Sequence, residues 1–333
     1  MTMPHLRKDP EKRLWVIAAP QRNRRPRPKT LIANKLDPSA PCPLCPGNED
    51  KTPPEITAFR DRGTEPNSPG WSVRVVPNAY PALKVEEETI AGPEGLYDIM
   101  GGVGAHEIVI ETPEHDTTLG ERSLEQVTEI LEALRERTAD LKQDRRFEQV
   151  ILFKNRGAMA GASLYHPHFQ LMALPVVPKD IDDELSAAKS YFDYRGRCVY
   201  CDVINQETKQ GERIVFRDTG AVSFCPYASR FAFECRVMPR EHSSRFEDAG
   251  PDLLRSVAGA LRETLRKLDI ALERPDLNLV IHTLPFNSDM ENQYHWHIEI
   301  MPWTEQAGGL EKGTGMFINP VLPEEAARHL RSL

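Results

Sequence analysis

Asn155-Arg-Gly-Ala-Met-Ala-Gly-Ala-Ser163-Leu-Tyr-His166-Pro-His168-Phe-Gln170 joins a turn of small residues to a strand carrying two histidines. In the turn, Gly157, Gly161, Ala162 and Ser163 let backbone N–H groups approach an anion closely, and such turns form anion-binding concavities. In the strand, side chains alternate across the sheet. His166, His168 and Gln170 therefore share one face, while Pro167 and Phe169 point to the other. The same ending returns later as Tyr294-His-Trp-His297-Ile-Glu299.

Working outward from these two endings, the elements ahead of each also recur in one order. A Cys-x-x-Cys pair opens each series, Cys42 and Cys45 in the first and Cys198 and Cys201 in the second. A β-rich run follows, from His106 or from Phe231, and leads to Pro113-Glu-His115 or Pro239-Arg-Glu-His242. Apolar residues at helical spacing then mark Ser123 to Leu141 and Leu253 to Leu272. A second β-rich run, Gln149 to Lys154 or Leu277 to Thr283, leads through a loop to the histidine pair. The pattern predicts an α+β protein of two tandem units, each a mostly antiparallel sheet with a long helix on one face. Residues 1–180 form the first domain and 181–333 the second, with Val177 to Arg197 as the boundary.

The 333 residues suffice for two such cores. A hydrophobic content of 40% and a charged content of 28% describe a folded, soluble chain rather than a disordered one. The net charge of −8 argues against binding a nucleic-acid backbone, which needs a clustered surplus of Lys and Arg. The one basic run, Arg22 to Lys29, is local. With no secretory signal and no membrane-length apolar stretch, the expected location is the cytoplasm.

Six cysteines are too sparse for a disulfide scaffold. Zinc takes four thiolate or imidazole ligands in a tetrahedron, and a Cys-x-x-Cys turn supplies two. Each unit can complete a set, Cys42, Cys45, His115 and His166 in the first and Cys198, Cys201, His242 and His295 in the second. Two structural zinc sites per chain are expected. A redox pair and a pair of buried thiols are the rivals; repetition of the whole set favours zinc, and a redox pair expects a helix N-terminus at the thiols, whereas proline and glycine flank the first pair. Cys225 and Cys235 have no partner at metal spacing and read as small buried hydrophobes.

With His166 assigned to zinc, His168 is left as an imidazole nucleophile able to form a covalent nucleotidyl intermediate. Its rivals are a further metal ligand and a satisfied core histidine; the glycine-rich turn favours the nucleophile, with Gln170 and Ser163 holding phosphoryl oxygens. The second unit has the same histidine pattern behind Phe286-Asn-Ser-Asp-Met-Glu-Asn-Gln, an acidic loop without glycine. It is expected to act as scaffold or substrate contact, with His297 either a buried strand histidine or a contact to the partner site.

These residues, with Trp15-Val-Ile-Ala-Ala-Pro-Gln-Arg22-Asn-Arg-Arg25-Pro, Val76-Pro-Asn78-Ala-Tyr80-Pro-Ala-Leu and Thr112-Pro-Glu-His115, resemble the galactose-1-phosphate uridylyltransferase family of the histidine-triad superfamily over nearly the whole chain. The resemblance implies a ping-pong exchange of UMP between UDP-glucose and galactose-1-phosphate through His168. It also implies that Asn78 and Tyr80 line a nucleoside pocket and that Arg22 and Arg25 bind phosphates from their own or a partner subunit. Asn155, Gly161, Ser163 and Gln170 would surround the reacting phosphorus in a homodimeric enzyme. Lys312-Gly313-Thr-Gly-Met-Phe-Ile-Asn-Pro-Val-Leu-Pro-Glu departs from the family, which keeps a glutamate and a glutamine there to grip the hexose. That stretch, with Lys312 and Gly313 as candidate substrate contacts, looks more like the branch that includes ADP-glucose phosphorylase, where inorganic phosphate accepts the nucleotide. Uridylyl transfer leads, adenylyl transfer to phosphate is the close alternative, and a non-catalytic zinc or RNA-binding module is the alternative of another class.

Overall fold

In the computed structural model, which describes residues 3–24 and 36–333, one ten-stranded sheet runs through both halves of the chain. Its strands are β1 (Thr57–Arg60), β2 (Trp71–Pro77), β3 (Ala105–Ile110), β4 (Gln149–Arg156) and β5 (His168–Leu174), then β6 (Ile214–Arg217), β7 (Ala221–Phe224), β8 (Cys235–Pro239), β9 (Leu277–His282) and β10 (His297–Pro302). The spatial order is β6-β7-β8-β10-β9-β4-β5-β3-β2-β1, every neighbouring pair antiparallel. Counted outward from the centre, the two halves carry their strands in the same order. They meet at β4 and β9, where Asn155 pairs with Asn278 and Leu152 with Ile281.

Helices α1 (Leu124–Leu141) and α4 (Pro251–Leu272) cover one face, as the periodicity predicts. α1 starts where Ser123 accepts from the Gln126 N–H and Gln126 Oε1 accepts from the Ser123 N–H, so two otherwise unpaired donors are satisfied. Val127, Ile130, Leu131 and Leu134 of α1 and Leu254, Val257, Leu261, Leu265 and Leu268 of α4 join Leu152, Phe169, Leu171, Leu279 and Ile298 of the sheet in one core. That core crosses from one half to the other.

On the opposite face the halves differ. Val177 to Arg197, expected as a boundary, holds helix α2 (Lys179–Arg195), and α3 (Val199–Gln210) follows it. Ile181, Leu185, Val199, Tyr200 and Ile204 of this pair pack on Val222, Phe224, Met238 and Tyr294 of the second half. On the matching face of the first half no helix pair packs among the described residues; Cys42 and Leu44 of the first cysteine loop cover Trp71, Val76 and Ile110 there. A smaller sheet joins His5–Lys8 to Trp15–Ala18 and Phe317–Asn319. Among the described residues no helix is long and apolar enough to cross a membrane.

Candidate active site and metal centres

The open face of the first half carries the polar residues. Because Phe169, Leu171 and Ala173 enter the core, alternation turns His168, Gln170 and Met172 away from α1 and α4. Ile110 lies opposite His168 and Ile108 opposite Gln170. His168 is buried, and its Nδ1 donates to the His166 carbonyl at 2.7 Å. That bond fixes the tautomer and leaves Nε2 with the lone pair; Nε2 has no protein partner among the described residues. Burial, with Lys154 adding to it, holds the His168 pKa below the ordinary histidine range. The ring is therefore neutral at neutral pH.

Gln170 Oε1 meets His106 Nε2 at 3.0 Å, and Asn78 Nδ2 meets the same nitrogen at 3.1 Å. His106 is the member that sequence reasoning misses: its own neighbourhood marks only the start of a β-rich run, and the register of β3 against β5 brings it here. Tyr80 is 90% exposed, with its backbone N–H bonded to Asn78 Oδ1. Asn155 stands at the end of β4, two residues from Phe153, which lies opposite Gln170. Beyond it the glycine-rich turn adopts two positive φ values, 84° at Gly157 and 85° at Gly161. A Cβ on Gly157 would lie 2.0 Å from Asp276 Oδ1, so the close approach requires glycine there. Asp276 Oδ2 accepts from the Met159 N–H at 2.8 Å. Gly161 is exposed and Ser163 is exposed beside it, and the Ser163 hydroxyl is unengaged among the described residues.

Arg22 is exposed at a short 3-10 turn, and Arg25 falls outside the described residues. Lys312 and Gly313 are exposed in helix α5 (Gly309–Thr314), which packs on Phe317–Asn319. A cleft of about 310 Å³ opens on the helix side of the glycine-rich turn, lined by Asp116, Asn155, Tyr165, Arg274, Asp276 and Leu265 among others. His168 does not line it.

Both Cys/His sets converge, and in each the ligand atoms all lie within 4.8 Å of one another. In the first, Cys45 Sγ is 3.2 Å from His115 Nδ1 and 3.5 Å from His166 Nδ1. His166 Nε2 donates to the Thr112 carbonyl at 2.8 Å, which turns the Nδ1 lone pair toward the sulfurs. The second repeats the device: Cys201 Sγ is 3.3 Å from His242 Nδ1, and His295 Nε2 meets the Pro239 carbonyl at 3.1 Å. The thiols differ. Burial pushes Cys45 up to about 11, whereas hydrogen bonding from Cys198, supported by His242 and His295, brings Cys201 down to about 3. Cys198 caps α3 and Cys201 sits in its first turn, so the helix N-terminus expected of a redox pair is present at the second pair, contrary to the open-loop context of the first. Cys225 and Cys235 are fully buried, as expected, with their sulfurs 3.9 Å apart.

His297 is a buried strand histidine. Its Nδ1 donates to the His295 carbonyl at 3.1 Å, and Nε2 lies 3.9 Å from both Glu184 Oε1 and Glu299 Oε1. Glu184, His282 and His297 form a third close donor group. Lys12 Nζ reaches Glu184 at 3.0 Å and Glu299 at 2.9 Å, so an ammonium supplies positive charge at its edge.

A sheet strand that opens on a buried histidine behind a glycine-rich turn, with a Cys/His set in each half, fits a nucleotidyltransferase, and comparison with known proteins makes the class particular. Residues 1–178 match the family described as galactose-1-phosphate uridyl transferase, N-terminal domain. The chain belongs to the galactose-1-phosphate uridylyltransferase family, and it is a nucleotidyltransferase enzyme. It is 35% identical to an ADP-glucose phosphorylase of Arabidopsis thaliana, covering 99% of this chain and 93% of that one. It is 30% identical to a galactose-1-phosphate uridylyltransferase of Thermotoga maritima, covering 99% and 98%. The crystal structure of an Arabidopsis thaliana ADP-glucose phosphorylase with bound ADP-glucose superposes with a TM-score of 0.84 at 34% identity, covering 99% of each chain.

Proposed function

We propose that the protein transfers a nucleotidyl group from a nucleoside diphosphate hexose to a phosphate acceptor through a covalent intermediate on His168. The carrying observation is the His168 ring: buried, neutral, with Nδ1–H held by the His166 carbonyl and Nε2 free. Nε2 attacks the α-phosphorus, a P–N bond forms, the bond to the bridging oxygen breaks, and the hexose 1-phosphate leaves with that electron pair. The Nδ1–H···O=C bond stabilises the imidazolium charge that develops. An acceptor phosphate oxygen then attacks the same phosphorus, the P–N bond breaks, and neutral His168 returns. Gln170, Asn155, Ser163 and the N–H groups around Gly161 hold phosphoryl oxygens; Asn78 and Tyr80 border the nucleoside, and Arg22 and Arg25 meet phosphates.

The donor we favour is ADP-glucose with inorganic phosphate as acceptor, so the similarity reverses the order in which the sequence put the two reactions. It rests on the 35% identity to the phosphorylase and on the C-terminal stretch. There Glu324 is bound by Arg7 and Arg213, and Asn319 donates to the Ser229 and Phe231 carbonyls. Neither is free to grip a hexose hydroxyl. UDP-glucose with galactose-1-phosphate is the second reading, carried by the full-length similarity to the Thermotoga maritima transferase.

The metal of both sets is zinc in this reading. Zn–S near 2.3 Å and Zn–N near 2.0–2.1 Å in a tetrahedron imply S···N edges of about 3.6 Å, against 3.2, 3.5, 3.3 and 3.8 Å here. Four protein ligands leave no open position, so the metal would hold Cys42–Cys45 and α3 against the sheet and take no part in the transfer. A cytoplasmic homodimer completes the proposal. The test is intact mass spectrometry after mixing with ADP-glucose or UDP-glucose separately, without acceptor and quenched at neutral or alkaline pH. An AMP adduct supports the phosphorylase reading, a UMP adduct alone moves the assignment to uridylyl transfer, and no adduct from either donor rejects the covalent route.

A further inference from the structure

A carboxamide has an accepting end and a donating end, and phosphoryl oxygens only accept. Asn155 can therefore help hold a phosphoryl group only if its NH₂ faces the site. The second half of the chain decides which end that is. Asn155 Oδ1 accepts from Asn278 Nδ2 at 2.7 Å across the central β4–β9 pair. The second hydrogen of Asn278 Nδ2 goes to the Ala160 carbonyl at 2.9 Å, inside the glycine-rich turn. Asn278 Oδ1 accepts from the indole N–H of Trp303, which follows β10.

The polarity of this chain follows from chemistry rather than from how the amides are drawn, because an indole nitrogen cannot accept and a backbone carbonyl cannot donate. Trp303 must give its hydrogen, so Asn278 must offer its oxygen there. Its NH₂ is then committed to Ala160 and Asn155, and Asn155 must turn its own NH₂ away. That group faces the turn: a Cβ added at Gly161 would sit 4.0 Å from Asn155 Nδ2. Asn155 Nδ2 has no acceptor among the described residues.

We infer that Trp303 and Asn278 are positioning residues, which fix the amide of Asn155 so that its NH₂ is presented to the phosphoryl group transferred by His168. The inference deepens the nucleotidyl-transfer reading and rests on it. It also gives the second half a part in the reaction although that half keeps its own histidine buried.

The test measures single-turnover adduct formation on His168 with ADP-glucose and with UDP-glucose, for Asn278→Asp and Trp303→Phe in the wild-type and Asn155→Ala backgrounds. The carboxylate introduced by Asn278→Asp can accept from Trp303 but has no hydrogen for Asn155 or Ala160. Since losing one donor to a developing oxyanion costs about 10²–10³-fold in rate, Asn278→Asp should slow adduct formation by about 100-fold with donor affinity nearly unchanged. Trp303→Phe, which adds no charge, should slow it by about tenfold. In the Asn155→Ala background both losses should shrink to about threefold or less, because the group being oriented is gone. Equal losses in the two backgrounds would mean a purely structural role and overturn the inference. Unchanged rates would do the same, and Trp303→Phe decides alone if Asn278→Asp does not fold. No adduct on the wild-type protein would overturn the nucleotidyl-histidine reading and this inference with it.

Discussion

His168 and His297 open equivalent strands, and each donates Nδ1 to the carbonyl two residues behind it. What surrounds them is opposite. His168, also buried, stands on the face that carries no helix pair, behind a turn with positive φ at two glycines. His297 is sealed under α2 and α3, 5.5 Å from the Tyr200 ring and 4.9 Å from the His282 ring, with burial pushing it down to about 3. In the proposed reaction, one strand design serves as a reactive group or a structural one according to what packs over it. The sharpest way to break the comparison is to remove each histidine in turn. His168→Gly should abolish the nucleotidyl adduct, a fall of about 10⁴-fold or more, while His297→Gln should destabilise the fold yet still form the adduct. Mass spectrometry of both variants decides; an adduct on the His168→Gly protein would end the assignment.

The metal sets allow a second contrast. Cys42→Ser and Cys198→Ser should each lower bound zinc from two equivalents to one, read by elemental analysis. Structural zinc contributes on the order of 10 kcal/mol in small zinc domains, and a large sheet dilutes that dependence, so both variants should lose melting temperature without unfolding outright. Their activities should differ. The first set includes His166, whose carbonyl holds His168, so Cys42→Ser should lower kcat along with stability. Cys198→Ser should act through stability. If Cys198→Ser costs more kcat than Cys42→Ser at a temperature where both are folded, the first centre does not order the nucleophile.

The repeat itself is legible in the sequence because each half writes its ligands and helices in the same order, and repeated chemistry survives where single motifs are ambiguous. Helix α2 is harder to recognise, although Pro178 ahead of it and Asp180 and Asp182 in its first turn are helix-start signals. They stand where a boundary between units is expected, and the buried face is narrow, set by Ile181, Leu185 and Ala188. His106, Asn278 and Lys12 escape for a different reason. Each is a lone polar residue whose importance comes from strand register or from a segment far away in sequence, and nothing in its own neighbourhood announces that.

Lys12 sharpens the comparison at smaller scale, since it belongs only to the closed site. It bonds Glu184 of α2 and Glu299 of β10 while 9% exposed at the side chain. Removing one partner of a buried, hydrogen-bonded ion pair costs about 3–5 kcal/mol. With Arg230, Arg236 and His282 left to compensate, Lys12→Met should lose about 3 kcal/mol in denaturant unfolding and leave the adduct rate intact. A change within about 0.5 kcal/mol would show the cluster to be indifferent to this cation.

The smallest effect expected is the pH dependence of that loss. Burial would raise both carboxyls, but their neighbours more than offset it. His282, Lys12, His297 and Tyr294 face Glu184, and Arg230, Lys12, His282 and Arg236 face Glu299; both pKa values lie below the ordinary glutamate range. A carboxylate with a depressed folded pKa contributes stability above its unfolded pKa, about 4.3, and that contribution is lost as pH falls toward the folded value, because the unfolded chain takes up the proton first. Lys12→Met removes part of the depression, so the mutant has less to lose on acidification. The gap in unfolding free energy between wild type and Lys12→Met should be widest near about pH 7 and begin to close below about pH 5. Acid release of any metal that the Cys/His sets hold would be common to both proteins and drop out of the difference. A gap that stays constant to about pH 3.5, or widens, would mean that Lys12 acts by packing its stem rather than by its charge on Glu184 and Glu299.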